Sequence, residues 1–215
     1  MAVIDHLVLA VPDLPSAVDW FEDATGVRPA IGGSHEGLGT HNALVSLGEC
    51  YLELLAPDPD QPDPSTSGTP RPFELDRALA DGGGAMVLVG FAVRPDDGET
   101  IDDLADAMFD AGHDVGPYVD MSRLAPDGGR LAWRLTMPTQ RTLPFLIEWG
   151  DTPRPNVTQP GGVELVEVAI VHQRPFDVLG ILAALSLDIT VTEPEPGGAP
   201  GLRATLSGDA GEVTL

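Results

Sequence analysis

The sequence contains no lysine, and its 11 basic residues, all arginine, face 34 Asp and Glu residues, giving a formal net charge of −23 at pH 7. A surface of this charge repels the phosphates of nucleic acids and of anionic lipid headgroups. No apolar run reaches the roughly 18 residues that a transmembrane helix needs. We therefore expect a chain that binds neither nucleic acid nor membranes.

Cysteine is almost absent, because Cys50 is the single one and has no partner for an internal disulfide. The residues after Met1 also lack the basic region that opens a signal peptide. Both features predict a cytoplasmic protein. The acidic, lysine-free composition is typical of a salt-rich cytoplasm and equally of a GC-rich genome, and both interpretations stay open.

The N-terminal part of the sequence predicts a strand, a helix and three further strands, in this order. Residues 2–11 form an apolar, β-branched run that predicts a buried strand. The helical spacing of apolar residues from Leu14 predicts a helix that Asp13 caps and Gly26 ends. Three short strand-like stretches follow, at residues 27–30, 41–47 and 49–55.

The same β-α-β-β-β order recurs twice, which predicts an α+β fold of tandem modules. We expect a domain at 1–155, with modules at 1–57 and 85–150, and a third module at 160–215. The linker 58–84 is rich in Pro, Asp and Gly and has room for one short helix at 73–79. A Pro-Asp-Gly-Gly turn at 126–129 joins two strands of the second module.

Five stretches, in a fixed order, carry a resemblance to a known family. They are residues 4–14 (IDHLVLAVPDL), 37–44 (GLGTHNAL), 51–56 (YLELLA), 126–134 (PDGGRLAWR) and 144–149 (PFLIEW). With them the chain resembles the vicinal oxygen chelate superfamily, the group of glyoxalases, bleomycin-resistance proteins and dihydroxybiphenyl dioxygenases, and in particular its glyoxalase-like domains. The resemblance covers residues 1 to about 155 closely and the rest by element order.

The resemblance implies that two modules pair so that their strands cup a cavity. It also implies a divalent metal there, held by His from a module's first strand and Glu from its fourth. In such enzymes the metal chelates two neighbouring oxygens of a small-molecule substrate, and it stabilises an enolate or activates dioxygen.

The residues themselves favour His6 and Glu53 as the centre of such a site. Strand alternation gives each of them apolar neighbours on the same face, where an unpartnered polar group is costly. An imidazole with a carboxylate suits Zn, Ni, Mn, Fe or Co. A hydrogen bond from His6 to Glu53 or to a backbone carbonyl is the simpler alternative.

Glu148 is the third predicted ligand. Overlaying Tyr51-Leu52-Glu53 on Leu146-Ile147-Glu148 places Glu148 where the first module has Glu53, so that either carboxylate could act as the catalytic base. An exposed position for Glu148 is the alternative. Aligning Ala92-Val93 with Ala10-Val11 puts Leu88 opposite His6, so one expected ligand is missing, and the set lacks the two histidines of an iron dioxygenase.

Five further residues are predicted to bind the substrate: His35, Thr40, Asn42, Arg123 and Arg134. Glycines around 37–39 allow close approach to a ligand, and alternation puts Thr40 and Asn42 on one strand face. An inward arginine would clamp a carboxylate. The alternatives are a solvent-exposed glycine turn and arginines that pair outward with Asp and Glu.

These observations predict a glyoxalase-like lyase or isomerase that uses a divalent metal. The alternative is a metal-free protein that binds or sequesters a small molecule, and a ring-cleaving dioxygenase is the weakest interpretation. The third module has an apolar sheet face that something must cover. We expect a homodimer through this module, and the alternative is that it covers the outside of the first cup.

Overall fold

The computed structural model describes residues 1–124 and 129–215, with the backbone alone at residues 67, 123 and 124. The strands are β1 (Ala2–Ala10), β2 (Ala30–His35), β3 (Thr40–Ser46), β4 (Tyr51–Pro57), β5 (Val87–Pro95), β6 (Tyr118–Leu124), β7 (Arg130–Thr136), β8 (Phe145–Glu148), β9 (Val163–Val171), β10 (Thr190–Thr192), β11 (Gly201–Gly208) and β12 (Gly211–Thr214). The helices are α1 (Leu14–Thr25), α2 (Leu75–Asp81), α3 (Ile101–Asp110), α4 (Pro155–Thr158) and α5 (Pro175–Ala184).

The modular α+β fold predicted from the sequence is confirmed. Two modules share one eight-stranded sheet in the order β2-β3-β4-β1-β5-β8-β7-β6. The antiparallel pair of β1 and β5 joins the modules, while each of these strands runs parallel to the last strand of its own module. The third module forms a four-stranded sheet in the order β10-β9-β11-β12.

Local signals account for most element boundaries. The Asp13 side chain accepts a hydrogen bond from the amide of Ser16, and Gly26 ends α1 in a left-handed conformation with φ 82°. Strand β2 covers residues 30–35, whereas the prediction was 27–30; Pro29, which has no amide proton for the ladder, directly precedes it. The predicted turn at 126–129 lies largely outside the described residues.

The third module packs against the convex side of the first two. Buried side chains from all three modules form one core, among them Phe21, Phe91 and Ile170. Backbone hydrogen bonds join the parts: the amide of Ala2 donates to the carbonyl of Leu185, 2.9 Å away. The second of the two sequence-based alternatives, a module that covers the outside of the cup, is the arrangement that the structure shows.

The concave side of the large sheet carries a second, smaller core. Helix α2 of the linker packs there through Leu75, Ala78 and Leu79, against Val8 and Val89 from the two central strands. The linker therefore fills one end of the cup, and the other end stays open. Among the described residues, no helix is both long and apolar enough to cross a membrane.

Candidate functional site

A cavity of about 160 Å³ occupies the open end of the cup. Most of its walls are apolar, with Leu44, Leu55, Met121, Trp133, Phe145 and Ile147 among the lining residues. Its polar side chains are concentrated on the strands of the first module and comprise His6, His35, Thr40, Asn42, Tyr51 and Glu53. A small molecule bound here would be enclosed by hydrocarbon and would meet polar groups at one end.

A β-bulge in β1 shapes the polar end. Ile4 pairs with Val93 and His6 pairs with Ala92, so Asp5 is an extra residue without a partner on β5. Such a residue bends and twists its strand, and neighbouring side chains no longer point to opposite faces. As a result, Asp5 and His6 touch although they are adjacent, with Oδ1 of Asp5 2.8 Å from Nδ1 of His6.

Asp5 is buried and has further partners. Its side chain is 1% exposed, and Nε1 of Trp149 donates to its two carboxylate oxygens at 3.2 and 3.3 Å. Nε of Arg94 lies 3.7 Å from Oδ2. An ionised carboxylate can only accept hydrogen bonds, so the contact with His6 assigns the imidazole proton to Nδ1.

The other ring nitrogen of His6 faces Glu53. Nε2 lies 4.0 Å from Oε2 of Glu53, too far for a hydrogen bond. Tyr51 stacks on the imidazole with ring centroids 4.6 Å apart, and Phe145 meets it edge-on at 5.4 Å. The ring is therefore fixed by packing, with the Nε2 lone pair open to a bound molecule.

Asn42 organises the remaining polar groups. Its Nδ2 donates to Oε1 of Glu53 at 2.7 Å and contacts Nε2 of His35 at 3.2 Å. Since an amide nitrogen only donates, Nε2 of His35 accepts, and Nδ1 carries the proton. That proton points to Oγ1 of Thr40, 2.9 Å away, which leaves the hydroxyl proton of Thr40 for another acceptor.

These hydrogen bonds leave too few free nitrogen and oxygen atoms on the histidine and carboxylate side chains to bind a metal ion. The lone pair of Nε2 of His35 and one Glu53 oxygen are both taken by Asn42, so Nε2 of His6 and Oε2 of Glu53 remain. A catalytic zinc site uses three protein ligands. Over the two described stretches, no group of three His, Cys, Asp or Glu side chains could hold a metal ion. The arrangement therefore does not fit the metal that the resemblance implies.

The expectation that Glu148 faces the same cavity is wrong. Phe145 and Ile147 line the cavity, so Glu148, next along the strand, points to the other face. There its Oε2 accepts from Nη2 of Arg134 at 3.0 Å. The overlay therefore placed Glu148 on the wrong face of the strand.

Replacing Glu148 by glutamine therefore has little effect. The ion pair with Arg134 is 35% exposed on both sides, and such a pair contributes about 1 kcal/mol or less to stability. We expect ligand binding within about threefold of wild type and a free energy of unfolding within about 1 kcal/mol. Titration calorimetry measures the ligand binding, and urea denaturation measures the free energy of unfolding. A loss of binding would show that Glu148 belongs to the site.

The other predicted substrate-binding residues divide between the cavity and the surface. His35, Thr40 and Asn42 line the cavity, and His41 does not. The guanidinium of Arg134 lies 4.6 Å from the ring centroid of Tyr118 and pairs with acidic residues, which is the outward alternative. Arg123 lies in β6, and its side chain is outside the described part of the structure.

Leu88 is not the counterpart of His6 either. It pairs with Leu9, and its side chain belongs to the convex core. The residue directly across from His6 is Ala92. The second module therefore offers the cavity apolar and aromatic side chains where the first module offers polar ones.

The family profile described as a glyoxalase-like domain matches residues 4–186 of the chain. The chain belongs to the glyoxalase-like domain family. This family membership confirms the vicinal oxygen chelate resemblance and the cupped-sheet fold. No curated protein sequence matches the chain.

Several solved structures are similar to this glyoxalase-like chain. A hypothetical protein from Staphylococcus aureus superposes with a TM-score of 0.65 at 16% identity, covering all of this chain and 84% of the other. Methylmalonyl-CoA epimerase from Mycobacterium tuberculosis gives 0.40 at 19% identity, covering 67% and 84%. A methylmalonyl-CoA epimerase in complex with methylmalonyl-CoA and NH4+ gives 0.43 at 20%, covering 71% and 97%. The first similarity shows a shared fold, not an activity.

Sequence reasoning missed Asp5, the residue that orients His6. Alternation assigns adjacent residues to opposite faces, and no pattern of residues in the sequence predicts the bulge. Trp133, Phe145 and Trp149 form part of the cavity wall, and none of them was predicted from the sequence to belong to the site. The aromatic run in the last strand of the second module was the available signal.

Proposed function

We propose that this glyoxalase-like chain is a small-molecule enzyme of the isomerase or lyase type that works by proton transfer. The observation that carries the proposal is the arrangement of Asp5, His6 and Glu53 at the polar end of an apolar cavity. A base whose second nitrogen is held by a buried carboxylate is kept in one tautomer and one orientation. The surrounding hydrocarbon excludes water, which strengthens electrostatic interactions inside the cavity.

The proposed step is removal of a proton from a carbon next to a carbonyl group. Nε2 of His6 takes the proton, the C–H electron pair forms the new C=C bond, and the π pair of the C=O bond moves onto the carbonyl oxygen to give an enolate. The hydroxyl of Thr40, whose oxygen already accepts from His35, is the donor available to that oxygen. Glu53, whose Oε2 lies 4.0 Å from Nε2 of His6, is the second group in the scheme that can exchange a proton with the intermediate.

Asn42 sets the position of Glu53 in this scheme. Its amide holds one carboxylate oxygen at 2.7 Å and leaves the other free on the His6 side. Without that bond, the Glu53 side chain would have several rotamers available, and the distance to a substrate proton would vary. Positioning of this kind contributes strongly to proton-transfer rates.

A divalent metal, predicted from the resemblance, takes no step in this scheme. Elemental analysis of purified, dialysed protein tests the point. We expect far less than one Zn, Ni, Mn, Fe or Co per chain, with no change in the His6→Ala variant. Stoichiometric metal that is lost in that variant would overturn the metal-free scheme and support a metal-dependent enzyme.

A binding protein without chemistry is the second candidate, and the largely apolar cavity wall favours it. Such a protein would sequester a small molecule, with His6 and Glu53 as hydrogen-bonding groups alone. Saturable quenching of tryptophan fluorescence without any turnover would support it. The homodimer and the cytoplasmic location remain predictions from the sequence, and sedimentation at micromolar concentration tests the first.

Deuterium exchange tests the enzyme directly. Candidate carbon acids (2-oxo acids, thiol adducts of 1,2-dicarbonyl compounds and acyl thioesters) are incubated with the protein in D₂O and followed by proton NMR. We expect at least one of them to exchange, and His6→Gln or Glu53→Gln to slow that exchange by about 10²- to 10⁴-fold. His172→Gln is the matched control, because His172 lies in the third module and contacts the backbone of Arg174.

Two results would contradict the proposal. One is exchange that both variants retain at the wild-type rate. The other is the absence of exchange for every compound that binds in the cavity.

A further inference from the structure

A second compartment of about 430 Å³ adjoins the cavity. The two compartments share Leu38, Pro72, Phe73, Met137 and Pro138 as lining residues, so they adjoin along this wall. Ligand sites for drug-sized molecules usually measure about 300–1,000 Å³. The inner compartment alone is below this range, and the outer one brings the site into it.

The outer compartment contains an arginine that has no ion-pair partner among the described residues. Arg71 and Arg141 both line it. The guanidinium of Arg71 already has partners, since it donates to both carboxylate oxygens of Asp76 and to the carbonyl of Gly39. Arg141, by contrast, has no carboxylate within ion-pair distance in the described part of the chain.

Among the described side chains, Arg130, Arg154 and Arg203 also have no carboxylate within ion-pair distance, but of these four arginines Arg141 alone lines either compartment. With 34 acidic residues against 11 arginines, most described guanidinium groups have found a carboxylate, as in the pairs of Arg28, Arg77 and Arg174. Glu74, the one carboxylate among the described residues that line the outer compartment, already lies 3.3 Å from Arg77. Thr69, Thr139 and Gln140 add neutral hydrogen-bonding groups to the wall of the same compartment.

We propose that Arg141 binds an anionic group at the far end of the substrate. This inference rests on the proposed function and specifies its substrate class: an elongated molecule with a reactive, uncharged end near His6, an apolar middle, and a carboxylate or phosphate at the mouth. Arginine presents planar pairs of N–H donors that match both anions. The inner compartment, whose described lining contains Glu53 and no arginine, would repel an anion.

Ligands that differ in one end group test the proposal. Octanoate, octyl phosphate and octanol have the same apolar chain, and quenching of Trp133 and Trp149 in the inner compartment reports their binding. At about 150 mM salt, where charges more than roughly 8 Å apart are largely screened, the net charge of the chain contributes little. We expect wild type to bind one or both anions at least about tenfold more tightly than octanol, and the preferred anion identifies the end group.

Three variants separate the contribution of Arg141 from general effects. Arg141→Gln should remove the preference for anions and leave octanol binding unchanged. Arg141→Lys should retain part of the preference. Arg203→Gln is the matched control, because Arg203 is exposed on the third module and has no described carboxylate partner.

The proposal fails if wild type shows no preference for either anion, or if Arg141→Gln retains the wild-type preference. Its failure is distinguishable from failure of the enzyme proposal. These measurements involve no turnover, and the His6→Gln variant should keep the same preference for anions whether or not the protein is a catalyst.

Discussion

The Asp5→Asn variant should lose about 10²- to 10⁴-fold in the rate of proton exchange. Two donors, Nδ1 of His6 and Nε1 of Trp149, converge on the Asp5 carboxylate. An asparagine has one oxygen for them, so its NH₂ group must face the other donor. If it faces His6, the imidazole proton moves to Nε2, where it blocks the base. Exchange kinetics in D₂O measure the effect.

A double variant tells positioning from general damage. If Asp5 acts through His6, the Asp5→Asn/His6→Gln protein should be no slower than His6→Gln alone. Octanol binding should stay close to the wild-type value, since neither change alters the apolar walls. Independent, multiplying losses, or a wild-type rate for Asp5→Asn, would remove Asp5 from the mechanism.

The second large effect concerns stability and the way the three modules hold together. Ile170 is fully buried in the core that the modules share. Its replacement by alanine leaves a cavity and should cost about 2–5 kcal/mol in the free energy of unfolding. The three tryptophans, Trp20, Trp133 and Trp149, all lie in the first two modules. Their fluorescence in urea should nevertheless report the full loss, because the modules unfold together.

Val166→Ala is the matched control for this experiment. Val166 lies on the same strand as Ile170 and is 56% exposed. Its substitution should change the free energy of unfolding by no more than about 0.5 kcal/mol. The domain division predicted from the sequence, 1–155 and 160–215, gives a different expectation if the two parts unfold independently. In that case the tryptophan transition of Ile170→Ala would coincide with that of wild type.

The fold could be predicted because its signals are local and repeated. The helical stripe from Leu14, its Asp13 cap and the left-handed Gly26 mark one element each, and the same order recurs in every module. The residues of the first module also followed alternation where the strand is regular. Thr40 and Asn42 share the cavity face, as their spacing of two predicts.

The candidate site was harder to predict because it depends on the exact register of each strand. A shift of one residue moves a side chain to the opposite face of its sheet. The overlay chose Glu148, which forms an ion pair on the opposite face of the strand, while its neighbour Ile147 lines the cavity. The bulge at Asp5 is a second case, since it depends on pairing with β5, far along the chain.

The outer compartment was beyond prediction for another reason. Arg71, Phe73 and Glu74 come from the linker, while Met137 and Arg141 come from the segment between β7 and β8. Neither segment has a period that fixes its path. Their meeting follows from how α2 packs into the cup, which is a tertiary contact.

Long-range ¹H–¹⁵N NMR of the histidine side chains tests the central claim most directly, with His6→Gln to assign the signal. At mildly alkaline pH, the account predicts a His6 proton on Nδ1 and a free lone pair on Nε2. It also predicts that a ligand bound in the cavity shifts the Nε2 signal and leaves His172 unchanged. A proton on Nε2, or a His6 signal that does not respond to a bound ligand, would contradict the account.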